Sequence, residues 1–383
     1  MNIVYTGFFS YPDSNANSLR VHGMVDMLKT LGHNIKVIPG IQSQESVDKN
    51  IDIIQIDEYK SGLFSGINGL RGMFVGDNTI HYLESLQEKP DIIILYGTHL
   101  SYLTRLIKYT KKYGVKLILD VVEWYDPRHL PGGIFGPFAF MNELSMRHFV
   151  KQADGLIVIS EYLKKYYTNK GCKLILLPPI FPEQKKSIVN KFSNSVIHLC
   201  YVGTPGKKED FLSLCESLEN IYNDNIQFYM HFVGFTKQQL LMNEKFKKYS
   251  FINNKKVCSF YGRLTNEEAK KIISKSHFSI FFRPNLRFAN AGFPSKLAES
   301  FSLGTAVICN DISDVKKYVS NEYNGFILKS EFDNADLYQL LKKVFLSKNQ
   351  EYLYMKNSVK RSYLQFFNKE SYLHTMHCFF DKV

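Results

Sequence analysis

The run Ala291-Gly292-Phe293-Pro294-Ser295-Lys296-Leu297-Ala298-Glu299 holds the residue types best suited to chemistry in this 383-residue chain. A glycine-containing turn through Gly292 and Phe293 leads into a helix expected to begin near Pro294–Ser295. Unpaired backbone N–H groups and the positive helix end there suit a diphosphate. Lys296, in the first turn, can add a charge-assisted contact. Glu299 follows about one turn on, and its carboxylate can accept from two ribose hydroxyls. Gly304 ends the helix before an expected strand over Thr305–Cys309. An ordinary capped helix with a surface Lys296–Glu299 pair has the same spacing, so spacing alone leaves the two readings even.

A second run, Cys200-Tyr201-Val202-Gly203-Thr204-Pro205-Gly206-Lys207-Lys208-Glu209-Asp210, reads as a strand ending in a glycine loop with two lysines behind it. Lys207 or Lys208 there can place an ammonium over a leaving diphosphate, which makes Lys208 a catalytic candidate. Arg283 and Arg287 follow the expected strand Phe278–Phe282 and precede the Gly292 turn, so both are donor-side candidates. Arg263 is a third, in competition with a plain surface role. In the N-terminal half, Asp120-Val121-Val122-Glu123-Trp124-Tyr125-Asp126 lies at the end of another expected strand, the edge where open α/β sheets bind ligands. Glu123 is an acid/base or acceptor-binding candidate there, with Asp120 and Trp124 beside it; structural hydrogen bonding competes. His99 is a weaker candidate.

These residues need a scaffold, and the apolar pattern supplies one. Ile3–Thr6, Ile35–Ile38, Ile92–Tyr96, Lys116–Val121 and Gly155–Ile159 are short, β-branched and apolar throughout, as strands buried on both faces of a parallel sheet are. Val21, Met24, Val25, Leu28 and Leu31 fall at helical spacing over Ser18–Leu31, and Ser160 is a good N-cap for a helix ending near Gly171. A second β-α series has strands near His198–Val202, Gln227–Val233, Val257–Phe260, Phe278–Phe282 and Thr305–Cys309. Thr265-Asn266-Glu267-Glu268 has the capping-box form. The fold class expected is α/β, with two Rossmann-like β/α/β domains facing a central cleft. The Pro-containing stretch from Leu177 divides them into 1–185 and 186–350, and 351–383 is a helical segment that packs back on the first domain.

Composition narrows the function classes. A hydrophobic share of 45% with 22% charged residues is ordinary for a folded protein. No apolar stretch approaches a membrane span, and the first residues do not read as a signal peptide, so a cytoplasmic protein is expected, with peripheral contact at the inner membrane surface left open. Six cysteines without C-x-x-C spacing argue against a zinc site or a disulfide scaffold. The net charge is +12, and it is uneven: residues 1–185 hold 20 Lys+Arg against 18 Asp+Glu, and 186–383 hold 28 against 18. A basic pocket in the second half is one explanation and a solvated lysine surface is the other. No nucleic-acid motif is evident. The absence of G-x-G-x-x-G after the first strand disfavours a nicotinamide oxidoreductase. The aromatic loop Pro131–Phe140 and the Ser61–Gly76 region read by default as buried connections; lining an acceptor site or touching lipid is the alternative.

With those residues in view, the segment Pro294–Glu299, Gly304 and Val307-Ile308 resembles the donor-site signature of retaining glycosyltransferase family 4 of the GT-B superfamily (glycosyl transferases group 1). The P-S-K-x-x-E form is similar to members that build bacterial capsule and surface polysaccharides. The resemblance implies transfer of a sugar, with retained configuration, from a nucleotide-sugar, UDP-linked by preference, to a glycan or lipid-linked acceptor. No cofactor beyond that co-substrate is implied, and with no D-x-D in the sequence no metal is expected either. It also implies donor contacts from Gly203, Thr204, Lys207 and Lys208, with Thr204 standing where the family has Arg. Gly7, the loop through Asn17, and Arg20 would lie against acceptor and donor phosphates. The family's earlier glutamate is replaced by Ala291, so the contacts that choose the sugar are left open. Another two-Rossmann sugar-nucleotide enzyme (an epimerase or phosphorylase) and a non-catalytic sugar-nucleotide-binding protein are the competing readings.

Overall fold

The computed structural model describes residues 1–12, 15–43, 51–58, 75–182, 196–206, 208–347 and 350–383. The chain forms two compact units. The first comprises Met1–Phe181, Asn290–Phe293 and Lys369–Val383; the second comprises Pro182–Ala289 and Pro294–Asn368. The expected boundary at 185/186 lies outside the described residues, as do Lys207 and most of the Ser61–Gly76 region.

The first unit is built on seven strands: β1 (Asn2–Ser10), β2 (Asn34–Ile41), β3 (Asp52–Ile53), β4 (Ile92–Tyr96), β5 (Lys116–Val121), β6 (Gly155–Val158) and β7 (Leu174–Leu176). Their order is β3-β2-β1-β4-β5-β6-β7, and every pairing is parallel. The sheet reverses direction of growth between β1 and β4, which puts a topological switch point at their carboxyl ends. β4, Ile-Ile-Ile-Leu-Tyr, matches its expected span because it is apolar on both faces and flanked by β1 and β5. The first helix, Ala16–Thr30, starts two residues before its expected start because Asn15 caps it, accepting from the Ser18 N–H at 2.9 Å. Ser160 caps the helix Glu161–Thr168 as expected.

The chain returns to this unit at Lys369, not at 351. Lys369 bonds Asp26 (2.9 Å) and Thr30 (3.0 Å), and the final helix Leu373–Phe380 adds Met376, Phe379 and Phe380 to the first core. Gly155 makes room for it, since a Cβ there would meet the Phe379 ring at 2.7 Å. The helix Gln350–Phe366 stays with the second unit.

The second unit carries β8 (His198–Val202), β9 (Tyr229–Val233), β10 (Cys258–Phe260), β11 (Phe278–Ile280), β12 (Ala306–Asn310) and β13 (Gly325–Leu328). The order is β10-β9-β8-β11-β12-β13, again all parallel, with the switch between β8 and β11. Thr265 and Glu268 form the expected capping box. Asn324 ends a turn and Gly325-Phe326 open β13. A Cβ on Gly325 would meet the Val307 carbonyl at 2.5 Å, so glycine lets the edge strand close on β12. The Asn324 side chain locks this corner through Tyr318, Ser320 and Ser362.

Candidate functional site

The carboxyl ends of β8, β9 and β10 each run into a glycine with positive φ: Gly203 (138°), Gly234 (111°) and Gly262 (66°). Side chains are excluded by crowding as well as by backbone conformation. A Cβ on Gly234 would meet the Gly203 carbonyl at 2.7 Å, and the Gly234 N–H donates to Gly262 at 2.7 Å. Beside this glycine floor lies a cavity of about 720 Å³, lined by Thr204, Pro205, Phe235, Thr236, Asn243 and Arg263 among others. That volume suits a small-molecule ligand.

Lys296 reaches this edge from the first turn of the helix Ser295–Ser302. Its ammonium lies 3.1 Å from where a Gly203 Cβ would be. It is ion-paired with Glu209 and sits 4.6 Å from the centre of the Tyr201 ring; the Tyr201 hydroxyl donates to the same carboxylate. Burial pulls the Lys296 ammonium below the ordinary lysine value, against the pull of Glu209, and Arg283 adds repulsion. Burial and Glu209 hold the Tyr201 phenol well above its ordinary value. Arg283 is positioned by its backbone, which exchanges hydrogen bonds with the Asn310 side chain at 3.0 and 2.8 Å. Lys296 thus lies against the glycine loop and Glu209, with Arg283 near enough to repel it. Pro294 precedes the Ser295–Ser302 helix without a side-chain cap; the Leu297 N–H donates to the Pro294 carbonyl at 2.9 Å, which leaves the Ser295 and Lys296 N–H groups at the helix end.

Glu299 lies on the same helix, half-buried, and its carboxylate has no hydrogen bond or ion pair with the described residues. Burial raises its carboxyl above the usual range, opposed by Lys270 and Lys296. The surface Lys296–Glu299 pair of the competing reading is not formed, since Lys296 is taken by Glu209. Of the other candidates, Lys208 and Thr204 are exposed in the loop after β8, and Arg287 is half-buried on the short helix Arg287–Ala291. The run expected as one site is divided: Gly292 and Phe293 group with the first unit, Pro294 to Glu299 with the second. Tyr201 and Glu209 lie in the glycine-loop run, where the sequence alone assigns them no role, and Lys270 belongs to no motif in the sequence. Only the position of Glu209, just behind the two lysines, marked it.

In the first unit, Glu123 lines a second cavity of about 180 Å³ with Phe8, Tyr96, His99, Tyr125 and Phe138. Burial and a hydrogen bond to Glu123 hold the Tyr125 phenol well above its ordinary value. Four other acceptor candidates have partners or close contacts inside the first unit. Arg20 donates to both oxygens of Asp120 (3.1 and 2.7 Å) and to the carbonyls of Leu177 and Pro178 (2.9 and 2.8 Å), and the Tyr5 hydroxyl adds a bond to Asp120 at 2.6 Å. Asp120 is fully buried and Arg20 nearly so, which makes the pair a structural lock inside the first unit. Trp124 is buried, its indole N–H donating to Glu143 at 3.0 Å. Gly7 serves packing: a Cβ there would meet the Tyr96 carbonyl at 2.8 Å.

Among the described residues no group of three or more His, Cys, Asp or Glu is placed to hold a metal ion, and no helix is long and apolar enough to cross a membrane.

Two parallel-sheet Rossmann-like units in sequence, each opening a site at its strand ends, are the architecture of GT-B glycosyltransferases. Sucrose-phosphate synthase from Thermosynechococcus elongatus superposes with a TM-score of 0.71 at 12% identity, covering 100% of this chain and 99% of that one. HepE of Anabaena, solved with UDP-glucose, gives 0.68 at 12% identity over 100% of both chains. WaaG, a glycosyltransferase involved in lipopolysaccharide biosynthesis, gives 0.70 at 12% identity over 97% and 99%. No curated protein matches the sequence significantly. Residues 183–361 match the family described as glycosyl transferases group 1, which covers most of the second unit and includes Lys296 and Glu299. The second unit thus matches a glycosyltransferase domain, and the fold of the whole chain is that of glycosyltransferases.

Proposed function

We propose that the protein transfers a sugar from a UDP-sugar, with retained configuration and without a metal, to a glycan or lipid-linked glycan acceptor in bacterial surface polysaccharide synthesis. The observation that carries the donor side is the Lys296 ammonium set against the Gly203 loop, with Arg283 close enough to add to the positive charge. The loop brings bare backbone within reach of a diphosphate, and the two cations offset the charge that grows on it as it leaves. The first N–H groups of the Ser295–Ser302 helix add to this stabilisation. Glu299, half-buried and unpartnered, is suited to two ribose hydroxyls. The cavity beside Thr236 and Arg263 has room for the base.

In this reading the bond from the sugar C1 to the phosphate oxygen breaks while the acceptor oxygen bonds C1 on the same face. The acceptor proton passes to the departing phosphate oxygen. Glu123 in the first unit's cavity orients the acceptor. The UDP preference is supported by the likeness to HepE, and the surface-polysaccharide setting by the likeness to WaaG. A thermal-shift screen of UDP-, GDP-, ADP-, dTDP- and CMP-sugars tests the donor class through ligand linkage. Stabilisation by UDP-sugars is expected, and stabilisation by another nucleotide alone would replace that assignment. Transfer that stops on adding a chelator and resumes with a divalent ion would refute metal independence.

A further inference from the structure

We propose that the Pro131–Phe140 loop seats the first unit on an anionic phospholipid surface. The sequence reads this loop by default as a buried connection, but the structure turns its large apolar side chains outward. Phe135 is 100% exposed, Phe140 67% and Ile134 59%. The loop is a shaped tip. Gly132 and Gly133 take positive φ (83° and 64°), the Gly136 N–H closes on the Gly133 carbonyl at 3.1 Å, and Ile134–Phe135 lie at the apex. A Cβ on Gly136 would meet the Pro131 carbonyl at 2.6 Å, so this turn depends on glycine there. The inward side of the same segment is occupied: Ala139 is buried, and Leu130, Phe138 and Met141 line the Glu123 cavity. Outward Ile134, Phe135 and Phe140 are thus left open by the described residues of the first unit.

The exposed charges that flank the tip in sequence are positive, two of them over a less exposed carboxylate partner. Arg128, Arg147 and Lys151 are exposed, and no exposed acidic residue lies between 127 and 152. The carboxylates nearby sit beneath the cations: Asp126 is 8% exposed under Arg128 at 55%, and Glu143 is less exposed than Arg147. The apolar area also favours a membrane over a protein. Three side chains offer at most roughly 500 Å², short of the ~800 Å² per partner that a stable protein interface buries. A small apolar tip with flanking cations is enough for interfacial insertion. The inference concerns the first unit alone and does not rest on the donor assignment.

The test is co-sedimentation of the full chain with phosphatidylcholine vesicles containing about 30% phosphatidylglycerol, against phosphatidylcholine alone and at rising salt. The wild type is expected to sediment with the anionic vesicles and to be released by salt. The double variant Ile134→Ser/Phe135→Ser is expected to bind about tenfold less, with an unchanged melting temperature and unchanged UDP binding. No wild-type sedimentation, equal binding of the double variant, or equal binding to neutral vesicles would each overturn the proposal. So would a concentration-dependent dimer that the double variant abolishes, because the tip would then belong to a second copy.

Discussion

Both units place a tyrosine on their first strand beside a cation and a carboxylate, yet the two triads do opposite things. In the first unit Tyr5, Arg20 and Asp120 are sealed, and Arg20 also holds two carbonyls from the end of β7, so every charge is spent inside. In the second unit Tyr201, Lys296 and Glu209 have the same chemistry, but they lie beside a bare glycine loop, with Arg283 nearby and a Glu299 that has no partner among the described residues. A buried ion pair with full hydrogen bonding fixes structure; a pair next to open backbone, with excess positive charge, is poised to take an anion. Residue type does not separate the two. Exposure and unspent hydrogen-bonding capacity do.

The comparison breaks most visibly on stability. Asp120→Ala leaves the Arg20 guanidinium buried without its carboxylate and is expected to cost about 3–5 kcal/mol in urea unfolding. Lys296→Met leaves Glu209 its Tyr201 hydroxyl and relieves the repulsion with Arg283, so it is expected to cost clearly less than Asp120→Ala. Equal losses in the two variants would erase the distinction. In transfer assays Lys296→Met is expected to lower kcat by roughly 10²–10³-fold, the usual effect of removing one preorganised charge-stabilising donor.

How far the sequence reveals this contrast depends on range. β4, β5 and β8 are legible to the residue because strands apolar on both faces leave no choice of register. Ser160 and Thr265 are legible because capping is local. The short edge strands β7 and β13 are not, since three or four residues carry no period and their pairing comes from neighbours. The division of labour between the triads is equally hidden: Arg20 meets Asp120 across 100 positions, and Lys296 meets Glu209 across 87. Sequence spacing found Lys296 and Glu299 on their helix. It could not show that Arg20 and Asp120 consume each other.

Two smaller effects sharpen the second triad. Gly203→Ala puts a methyl against the Lys296 ammonium at a φ of 138°, so UDP affinity measured by calorimetry is expected to fall about tenfold with the fold retained. Unchanged affinity would show that Lys296 needs no clear path to the loop. Glu299 gives a pH signature. Its carboxyl is raised in the folded protein, so its contribution to stability is full below the unfolded value and is lost as pH rises through the folded one. Glu299→Gln is therefore expected to melt above the wild type at pH 8 and to converge with it toward pH ~4, while binding UDP-sugar more weakly. A constant difference across that range would remove burial as the cause.

The central claim is that the Lys296–Glu209–Tyr201 edge of the second unit is where the donor diphosphate binds. Isothermal titration of UDP into the wild type and into Lys296→Met tests it most directly. The account predicts measurable binding to the wild type and at least tenfold weaker binding to the variant, of the order expected for one charge-assisted contact. Wild-type affinity in a folded Lys296→Met protein would contradict it.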